Sequence, residues 1–510
     1  MSQEKIAFPK SKYIHYLIAL VVGILIYLIG KPSDVLSQDA ITLLAIVIPA
    51  MYLWTINELF WSSILMIAML GVTGIIKQVS PDGEVIRVLT HNNLWMEALG
   101  HFSIIMLLIF TLIDGCLNET GAMQKVANWF LTRKFIQGKP YAIITMFLLG
   151  NIVVGMFMQN LALAVMYLAL TRKLCQSLGL DKKHSLYKCL MIGTLWGNGI
   201  LSIASPVAKT FPNVIIGLVS NTLGIQITYA QWFAAGIPFA IIMFVLLMVS
   251  IRIVNPDVSP LMNFNVEEYK KADPPLGGRG KIALGTLVVL LLIILLPEII
   301  IAILGGPRAA PGPFVDFIRR VIGWGVTVPA IFAVAFLCIV RAEGKPVMDI
   351  VDAYKRVNLG LLVFLAAVMF IGTPMGSGYS SNLIPWLNSI FGPLVGGMSP
   401  FMLAAVMIII AIVITNFVTN VVVVNVFFFL GVALFPTGGA IGPAAFAVLA
   451  GYAAFLAFAT PGSVITAAMY YGGDQDLVPM EVAKHNGIFM VACWLGTIAV
   501  IPIVSAVIGA

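Results

Sequence analysis

The sequence predicts an all-α polytopic membrane protein, and three observations support this fold class. Of its 510 residues, 60% are hydrophobic and only 10% are charged, whereas a soluble domain carries about 25% charged residues. The mean hydropathy is +1.02. Apolar runs such as 283–304 and 487–507 have about the 20-residue length that crosses the hydrocarbon core of a bilayer. Membrane-spanning strands would instead give alternating segments of about ten residues.

Eleven apolar segments are predicted to cross the membrane as helices. They lie at 13–30, 39–57, 59–76, 97–117, 187–221, 231–254, 283–303, 325–341, 357–373, 440–472 and 486–508. The first span lies in an N-terminal segment, 1–38, and follows twelve fairly polar residues. We interpret it as a retained helix rather than a cleaved signal peptide, because it is long enough to span.

Two further apolar segments, 140–173 and 399–436, are predicted to be re-entrant hairpins. Each is long enough for two short helices and carries an amide residue at its middle, in Gln159–Asn160 and Thr419–Asn420. The first segment has basic residues at both ends, so both ends are expected on the same side of the membrane. Non-helical backbone at such a tip is tolerated only where it is buried in protein or lines a cavity.

The basic residues predict the orientation of the chain. With the N-terminus inside and the C-terminus outside, 22 of the 29 Lys and Arg residues fall on cytoplasmic segments, as expected for a protein of the cytoplasmic (inner or plasma) membrane. The net charge of +7 is spread over loops rather than clustered with aromatic residues. We therefore expect the lipid bilayer, and no nucleic acid, as a partner. The five cysteines are scattered through apolar stretches and predict packing residues rather than a metal site.

The chain also divides into two similar halves. Residues 39–254 contain two spans, a third long span, a hairpin, a broken span and a plain span, and residues 283–510 repeat this order. Five crossings in each half would make the two repeats inverted in the membrane, which is common among secondary transporters. The polar stretch 255–281 between them is predicted to be a cytoplasmic linker.

Each half offers one hairpin tip and one helix break as a candidate binding site. The tips are 155–161 (GMFMQNL) and 415–421 (TNFVTNV), and the breaks are 205–213 (SPVAKTFPN) and 459–463 (ATPGS). A proline inside a span frees backbone carbonyls, which can coordinate a cation, while the N-termini of half-helices attract anions. A lone proline kink or an interhelical asparagine would usually be structural. The repetition of the same pair of features in both halves favours a site.

These four motifs resemble those of the divalent anion:sodium symporter family within the ion transporter superfamily. The tips are similar to its paired Ser-Asn-Thr hairpin signatures, and the breaks to its Thr-Pro-Pro-Asn-type signatures. The resemblance runs from the second span to the last. It implies a homodimer with a scaffold part and a mobile part, which carries a dicarboxylate or similar anion by an elevator-type motion, usually with sodium.

The resemblance also implies roles for individual residues. The residues expected to bind substrate by this resemblance are Asn160, Thr419, Asn420, Thr210, Asn213, Thr460, Pro461 and Ser463, and Lys209 is added to them as a charge that the family pattern does not contain. Those expected at a sodium site are Asn160, Thr415 and Asn420. Leu161 and Val421 stand where the family has threonines, and Gln159 stands where it has a serine, so part of the polar character of the family's site is absent here.

Lys209 is the clearest departure from the family pattern. A lysine well inside a span costs several kcal/mol unless it is paired or faces water, so it is a functional candidate by default. One hypothesis is that its ammonium replaces a bound sodium ion, which would favour exchange or proton coupling. The alternative is that it reaches a water-filled vestibule and attracts anions. Asp114 and Glu119 are expected near the cytoplasmic end of the fourth span, where no proton role is assigned to them.

Other functional classes are less consistent with the sequence. It contains neither His-Glu-x-x-His nor Gly-x-Ser-x-Gly, and no Gly-x-x-x-x-Gly-Lys-Ser/Thr loop, so neither an enzyme nor an ATP-driven pump is expected. The sequence predicts a secondary transporter, a symporter or an exchanger, of a small organic anion such as a di- or monocarboxylate. It would need no cofactor, with sodium or a proton as the coupling ion. An anion channel and a transporter of an inorganic oxyanion such as sulfate remain alternatives.

Overall fold

The computed structural model describes residues 10–56, 58–271, 273–355, 357–472 and 476–509. Across these residues the chain is mostly helical, and its strands form two short antiparallel hairpins. One pairs β1 (Lys77–Val79) with β2 (Val85–Val88), and the other pairs β3 (Arg341–Ala342) with β4 (Lys345–Pro346). The predicted all-α polytopic fold is confirmed.

Twelve α-helices are described in the part of the chain before Gly278. They are α1 (Lys10–Ile29), α2 (Gln38–Thr55), α3 (Leu59–Thr73), α4 (His91–Leu99), α5 (Phe102–Glu119), α6 (Ala122–Leu131), α7 (Pro140–Gly155), α8 (Asn160–Ser177), α9 (Ser185–Ala204), α10 (Thr210–Leu223), α11 (Tyr229–Val254) and α12 (Val266–Lys271).

Twelve more α-helices are described from Gly278 onwards. They are α13 (Gly278–Ile303), α14 (Pro313–Gly323), α15 (Thr327–Ile339), α16 (Ile350–Tyr354), α17 (Leu359–Met375), α18 (Ile384–Val395), α19 (Pro400–Thr415), α20 (Asn420–Leu434), α21 (Pro443–Phe455), α22 (Ile465–Tyr471), α23 (Pro479–Ala499) and α24 (Ile501–Ile508). Three short 3₁₀ helices lie at Lys134–Ile136, Ser259–Asn263 and Gly306–Arg308.

Five to eight of these elements are long and apolar enough to cross a membrane. Helices α1, α2, α5, α11 and α13 qualify singly, and three bent pairs, α14–α15, α18–α19 and α23–α24, qualify if each pair forms one span. Several other apolar helices, among them α7, α20 and α21, are shorter. The chain is therefore a multi-pass membrane protein, while the total of eleven crossings stays a prediction.

Two predicted boundaries differ from the structure. The fourth span, expected at 97–117, is two helices, because α4 ends at Leu99 and α5 begins only after His101. The His101 imidazole accepts a hydrogen bond from the Ser103 backbone N–H at 3.2 Å and so caps α5. Helix α13 begins at Gly278, five residues before the predicted span. The predicted cytoplasmic linker, 255–281, therefore includes the first residues of α13, and its location stays a prediction.

The helices pack as two bundles. One contains α2, α3, α5, α13, α15 and α17. The other contains the two hairpins together with α9, α11, α21, α22 and α23. Helix α10 lies between the bundles and packs against α17 and α5 of the first and against α21 and α9 of the second. The helix that follows the first break is therefore a junction between the two bundles.

Ion pairs tie together segments that the predicted topology places on the same face of the membrane. The Asp476 side chain is fully buried and accepts a hydrogen bond from the Arg172 guanidinium in the last two turns of α8. The Lys182 ammonium lies 3.7 Å from the same carboxylate. Tyr187 donates a hydrogen bond to it at 2.5 Å. Burial raises the pKa of Asp476, but the hydrogen bonds from Arg172 and Tyr187 outweigh this effect and leave the pKa below its ordinary value. The cytoplasmic location of this cluster stays a prediction.

Candidate functional site

The two hairpin tips have the same local geometry. In each, a four-residue turn separates two apolar helices, and an asparagine, Asn160 or Asn420, is the first residue of the second helix. The first helices, α7 and α19, contain 16 residues each and are about 24 Å long at 1.5 Å per residue. They are shorter than the ~30 Å hydrocarbon core, as expected of re-entrant hairpins.

The first helix break lies between α9 and α10. Ala208 within it has a φ of 54°, in the left-handed region that non-glycine residues seldom adopt. The Asn213 side-chain amide donates to the carbonyl oxygens of Pro206 at 2.8 Å and Lys209 at 2.7 Å, which the break leaves without helical partners. The Tyr229 hydroxyl donates to Asn213 Oδ1 at 2.6 Å. Side chains thus satisfy the irregular backbone within the apolar core.

Lys209 joins the first break to the first hairpin tip. It is only 2% exposed, and its Nζ donates to the Met158 carbonyl oxygen at 2.5 Å and to Asn160 Oδ1 at 2.6 Å. The Asn160 amide nitrogen in turn donates to Ser202 Oγ at 2.9 Å, which directs the amide oxygen towards Lys209. The hairpin tip therefore lies level with the middle of the broken helix pair.

Helix α5 approaches the same tip from the other bundle. Gln159 Nε2 donates to Thr111 Oγ1 at 2.8 Å. Asp114, about one turn further along α5, is buried and interacts electrostatically with Lys209. Asp114 is not among the residues predicted for the site. The signal that could have identified it is the rarity of buried charges, because a buried lysine needs a carboxylate or several oxygen partners nearby.

The second tip meets the second break through a different asparagine. Asn416 Oδ1 accepts hydrogen bonds from the backbone N–H groups of Phe458 at 2.8 Å and Ala459 at 2.7 Å. The Thr460 hydroxyl donates to the Asn416 carbonyl at 2.5 Å, and the Thr415 hydroxyl donates to the Ala454 carbonyl at 2.7 Å. Asn416 was in the tip motif but was not among the predicted site residues.

The remaining predicted site residues lie close to these contacts. Asn420 is buried at the start of α20, and the Thr419 hydroxyl is buried without a hydrogen-bond partner among the described residues. Thr210 is half-buried at the first position of α10. In the second break, Pro461 is exposed, while the buried Ser463 hydroxyl donates to the Thr460 carbonyl at 2.7 Å. This break is non-helical from 456 to 464, so its residues are not in the helical positions that Thr210 and Asn213 take in α10.

The two breaks adjoin each other. The rings of Phe211 and Phe455 lie 5.7 Å apart. A hydrogen-bonded chain also crosses between the halves, in which Trp196 Nε1 donates to Asn486 Oδ1 at 2.9 Å, and the Asn486 amide donates to the Tyr471 hydroxyl at 2.9 Å. Tyr471 then donates to the Phe458 carbonyl within the second break. No sequence pattern indicates these hydrogen bonds, since Trp196, Tyr471 and Asn486 are ordinary helix residues.

A groove of about 570 Å³ runs along α8 towards the first tip. Its lining includes Lys173 near the end of α8, Val165, and Leu161 next to Asn160, with Asn118 and Gln124 on the opposite wall. Leu161 is 51% exposed. The groove therefore extends from Leu161, next to the first tip, to the end of the hairpin that carries Arg172 and Lys173, which is the predicted cytoplasmic end.

Hairpin tips that meet broken helices in a polytopic helical protein are typical of secondary transporters. The model of the citrate transporter family matches residues 50–451, more than three quarters of the chain. The chain belongs to this family, and the resemblance to divalent anion:sodium symporters is confirmed. The protein is accordingly a membrane transporter and not an enzyme. No curated protein sequence gives a significant match.

Proposed function

We propose that this protein is a secondary active transporter of a small carboxylate anion, and that it moves the anion by an elevator-type alternating-access motion. The observation that carries the proposal is the joining of the first hairpin tip to the first helix break by Lys209. Lys209 is buried beside the N-termini of α8 and α10, and the groove along α8 ends at Leu161, next to Asn160; this arrangement supports the proposal.

The chemistry around the first break favours an anion. Helices α8 and α10 both begin there, and the unpaired N–H groups of a helix N-terminus attract negative charge. The Thr419 hydroxyl in the second half and the Asn198 amide in α9 are buried without hydrogen-bond partners among the described residues. Such groups are suited to bind carboxylate oxygens. The matching family is described as citrate transporters, and citrate is a small carboxylate anion.

Two apolar residues at the hairpin tips bear on how many carboxylates the substrate carries. Leu161 and Val421 are apolar, and Val421 is buried whereas Leu161 faces the groove. Fewer hydroxyls near the tips favour a substrate with fewer carboxylates than citrate, because each buried carboxylate needs its own donors. Mono- and dicarboxylates are therefore the first candidates, with citrate as the comparison.

The test is transport in proteoliposomes loaded with one anion and supplied with another. Uptake of mono-, di- and tricarboxylates and of sulfate would be measured with and without a sodium gradient, and with and without a pH gradient. We expect saturable uptake and counter-flow for at least one carboxylate. Asn160→Ala should lower this uptake about tenfold or more, because it removes one hydrogen bond to Lys209 and one to Ser202. Asn388→Ala, on the exposed face of α18, is the matched control and should leave uptake unchanged.

The same experiment separates the alternatives. Uptake of sulfate alone would make the protein an oxyanion transporter, and ohmic currents without counter-flow would make it a channel. Dependence on the sodium or the pH gradient would identify the coupling ion. The molar mass of the purified protein in detergent would test the proposed homodimer.

A further inference from the structure

We propose that the Lys209 ammonium is a built-in cation at the place where the first hairpin tip meets the first helix break, which we call the first half-site. Removing this ammonium would create a site for a monovalent metal ion from solution. The proposal deepens the proposed function, since it concerns the ion coupling of the same site. The corresponding tip and break of the second half, 415–421 and 456–464, contain no Lys, Arg or His. The two halves would therefore differ in the ions they take up.

The ligands of Lys209 are those of a metal-cation site. Its Nζ is held by a backbone carbonyl oxygen, that of Met158, and by a side-chain amide oxygen, that of Asn160. Unwound backbone carbonyls at a hairpin or helix break are the groups that coordinate sodium in transporters with broken helices. Both oxygens are fixed by structure that does not involve Lys209, because Met158 lies in the hairpin turn and Asn160 is oriented by Ser202.

The surrounding charge also favours a cation at this position. Asp114 interacts with Lys209 across the interface between α5 and the break. A neutral side chain at position 209 would take away the positive charge that acts on this buried carboxylate. In a low-dielectric environment the loss of an opposite charge is costly, so a metal ion that enters the vacated space would be stabilised by Asp114 as well as by the two oxygens.

A tethered ammonium has a functional consequence that a bound metal ion does not share. It stays with the protein when the anion leaves, so one fewer ion moves with the substrate in each cycle. The wild-type first half-site would then contribute charge without any requirement for an external cation.

The direct test is the thermal stability of the purified protein in sodium, potassium and choline chloride at equal ionic strength. Lys209→Ala and Lys209→Ser both open the space between the two oxygens. We expect sodium or potassium to raise the melting temperature of both variants by about 2 °C or more beyond any effect on the wild type, because a ligand that binds only the folded state stabilises it.

Two variants serve as controls for this measurement. Lys209→Met is neutral, but its long side chain still fills the space between the oxygens, so it should show no added response to either metal ion. Adding Asp114→Asn to Lys209→Ala should weaken the response, because it removes the carboxylate that stabilises the ion. The proposal is overturned if Lys209→Ala and Lys209→Ser respond to cations no more than the wild type does. It is also overturned if neither variant can be recovered folded in sodium- or potassium-rich buffer.

Transport gives a second measurement. Anion uptake by Lys209→Ala should be faster with external sodium or potassium than with choline. This ratio of uptake rates should be at least tenfold larger than the same ratio for the wild type. If the wild type carries none of the anions in the panel, the proposed function fails, while the melting experiment still decides whether position 209 controls a cation site.

Discussion

At the scale of single residues, the site depends on polar side chains that satisfy one another inside an apolar bundle. A charged residue at the centre of a membrane helix costs about 2.5–3.5 kcal/mol on insertion scales. Lys209 offsets such a cost with two charge-assisted hydrogen bonds, and Asn213 satisfies two carbonyls that the break exposes. These side chains therefore keep the break in one conformation, and their removal should be felt in stability as well as in transport.

Asn213→Ala is expected to destabilise the protein by about 2 kcal/mol or more, because it removes the hydrogen bonds of the Asn213 side chain to the Pro206 and Lys209 carbonyls and to the Tyr229 hydroxyl inside the core. Tyr229→Phe is the matched control, since it removes only the donor to Asn213 Oδ1, and it should cost about 1 kcal/mol. Thermal unfolding in detergent would measure both. A melting temperature for Asn213→Ala equal to that of the wild type would contradict this role.

At the scale of elements, each hairpin is held to a helix break by its turn, and the first hairpin also borders a groove. In α8 the groove-facing residues and the buried residues alternate with helical spacing, so that Leu161 is 51% exposed while Leu163 is fully buried. The exposed face extends from Lys173 to the residue next to Asn160. The groove thus leads from the residue next to the first tip towards the predicted cytoplasmic side.

Leu161→Cys should react with a membrane-impermeant thiol reagent in inside-out vesicles and not in intact cells. A transported anion should slow this reaction, because Leu161 adjoins Asn160. Leu163→Cys on the buried face of the same helix is the control and should not react from either side. The wild type gives the background, since four of its five cysteines are buried and Cys338 is half-buried. Labelling of Leu161→Cys only from outside would contradict the orientation of the groove.

At the scale of the whole molecule, two bundles meet along α10, and the polar contacts of the site lie at this junction. Gln159–Thr111 and Lys209–Asp114 both connect the hairpin-containing bundle to α5 of the other bundle. If one bundle moves against the other during transport, these contacts must break and re-form. The described ion pairs, by contrast, are found at the helix ends, for example between Lys77 and Asp39 and between Arg279 and Glu119.

Cysteine labelling would also test the predicted orientation of the chain. Asp82, in the exposed turn between β1 and β2, is predicted to lie outside, and Lys270, on the exposed face of α12, is predicted to lie inside. Asp82→Cys should therefore react in intact cells, and Lys270→Cys only after permeabilisation. The opposite pattern would reverse the assignment of both termini.

Much of the architecture could be predicted from the sequence. The apolar segments, the two hairpins with their central asparagines and the proline breaks are local properties, because the cost of burying backbone in lipid acts on each segment separately. Lys209 could be singled out for the same reason, as a charge inside an apolar span. The split at Gly100–His101 was missed, because Ala98 and Leu99 before it and Phe102 after it were assigned to one apolar segment.

The sequence by itself therefore determined that this is a polytopic helical transporter with paired tips and breaks. Only the tertiary structure decided which atoms meet there: the Met158 carbonyl on Lys209, Asp114 beside it, and Asn416 rather than Asn420 on the second break. Lys209 and Asn160 are 49 residues apart, and Trp196 and Asn486 are 290 apart. Contacts over such separations depend on how whole helices pack and on which rotamers the packing leaves open, and no local pattern of residues specifies either.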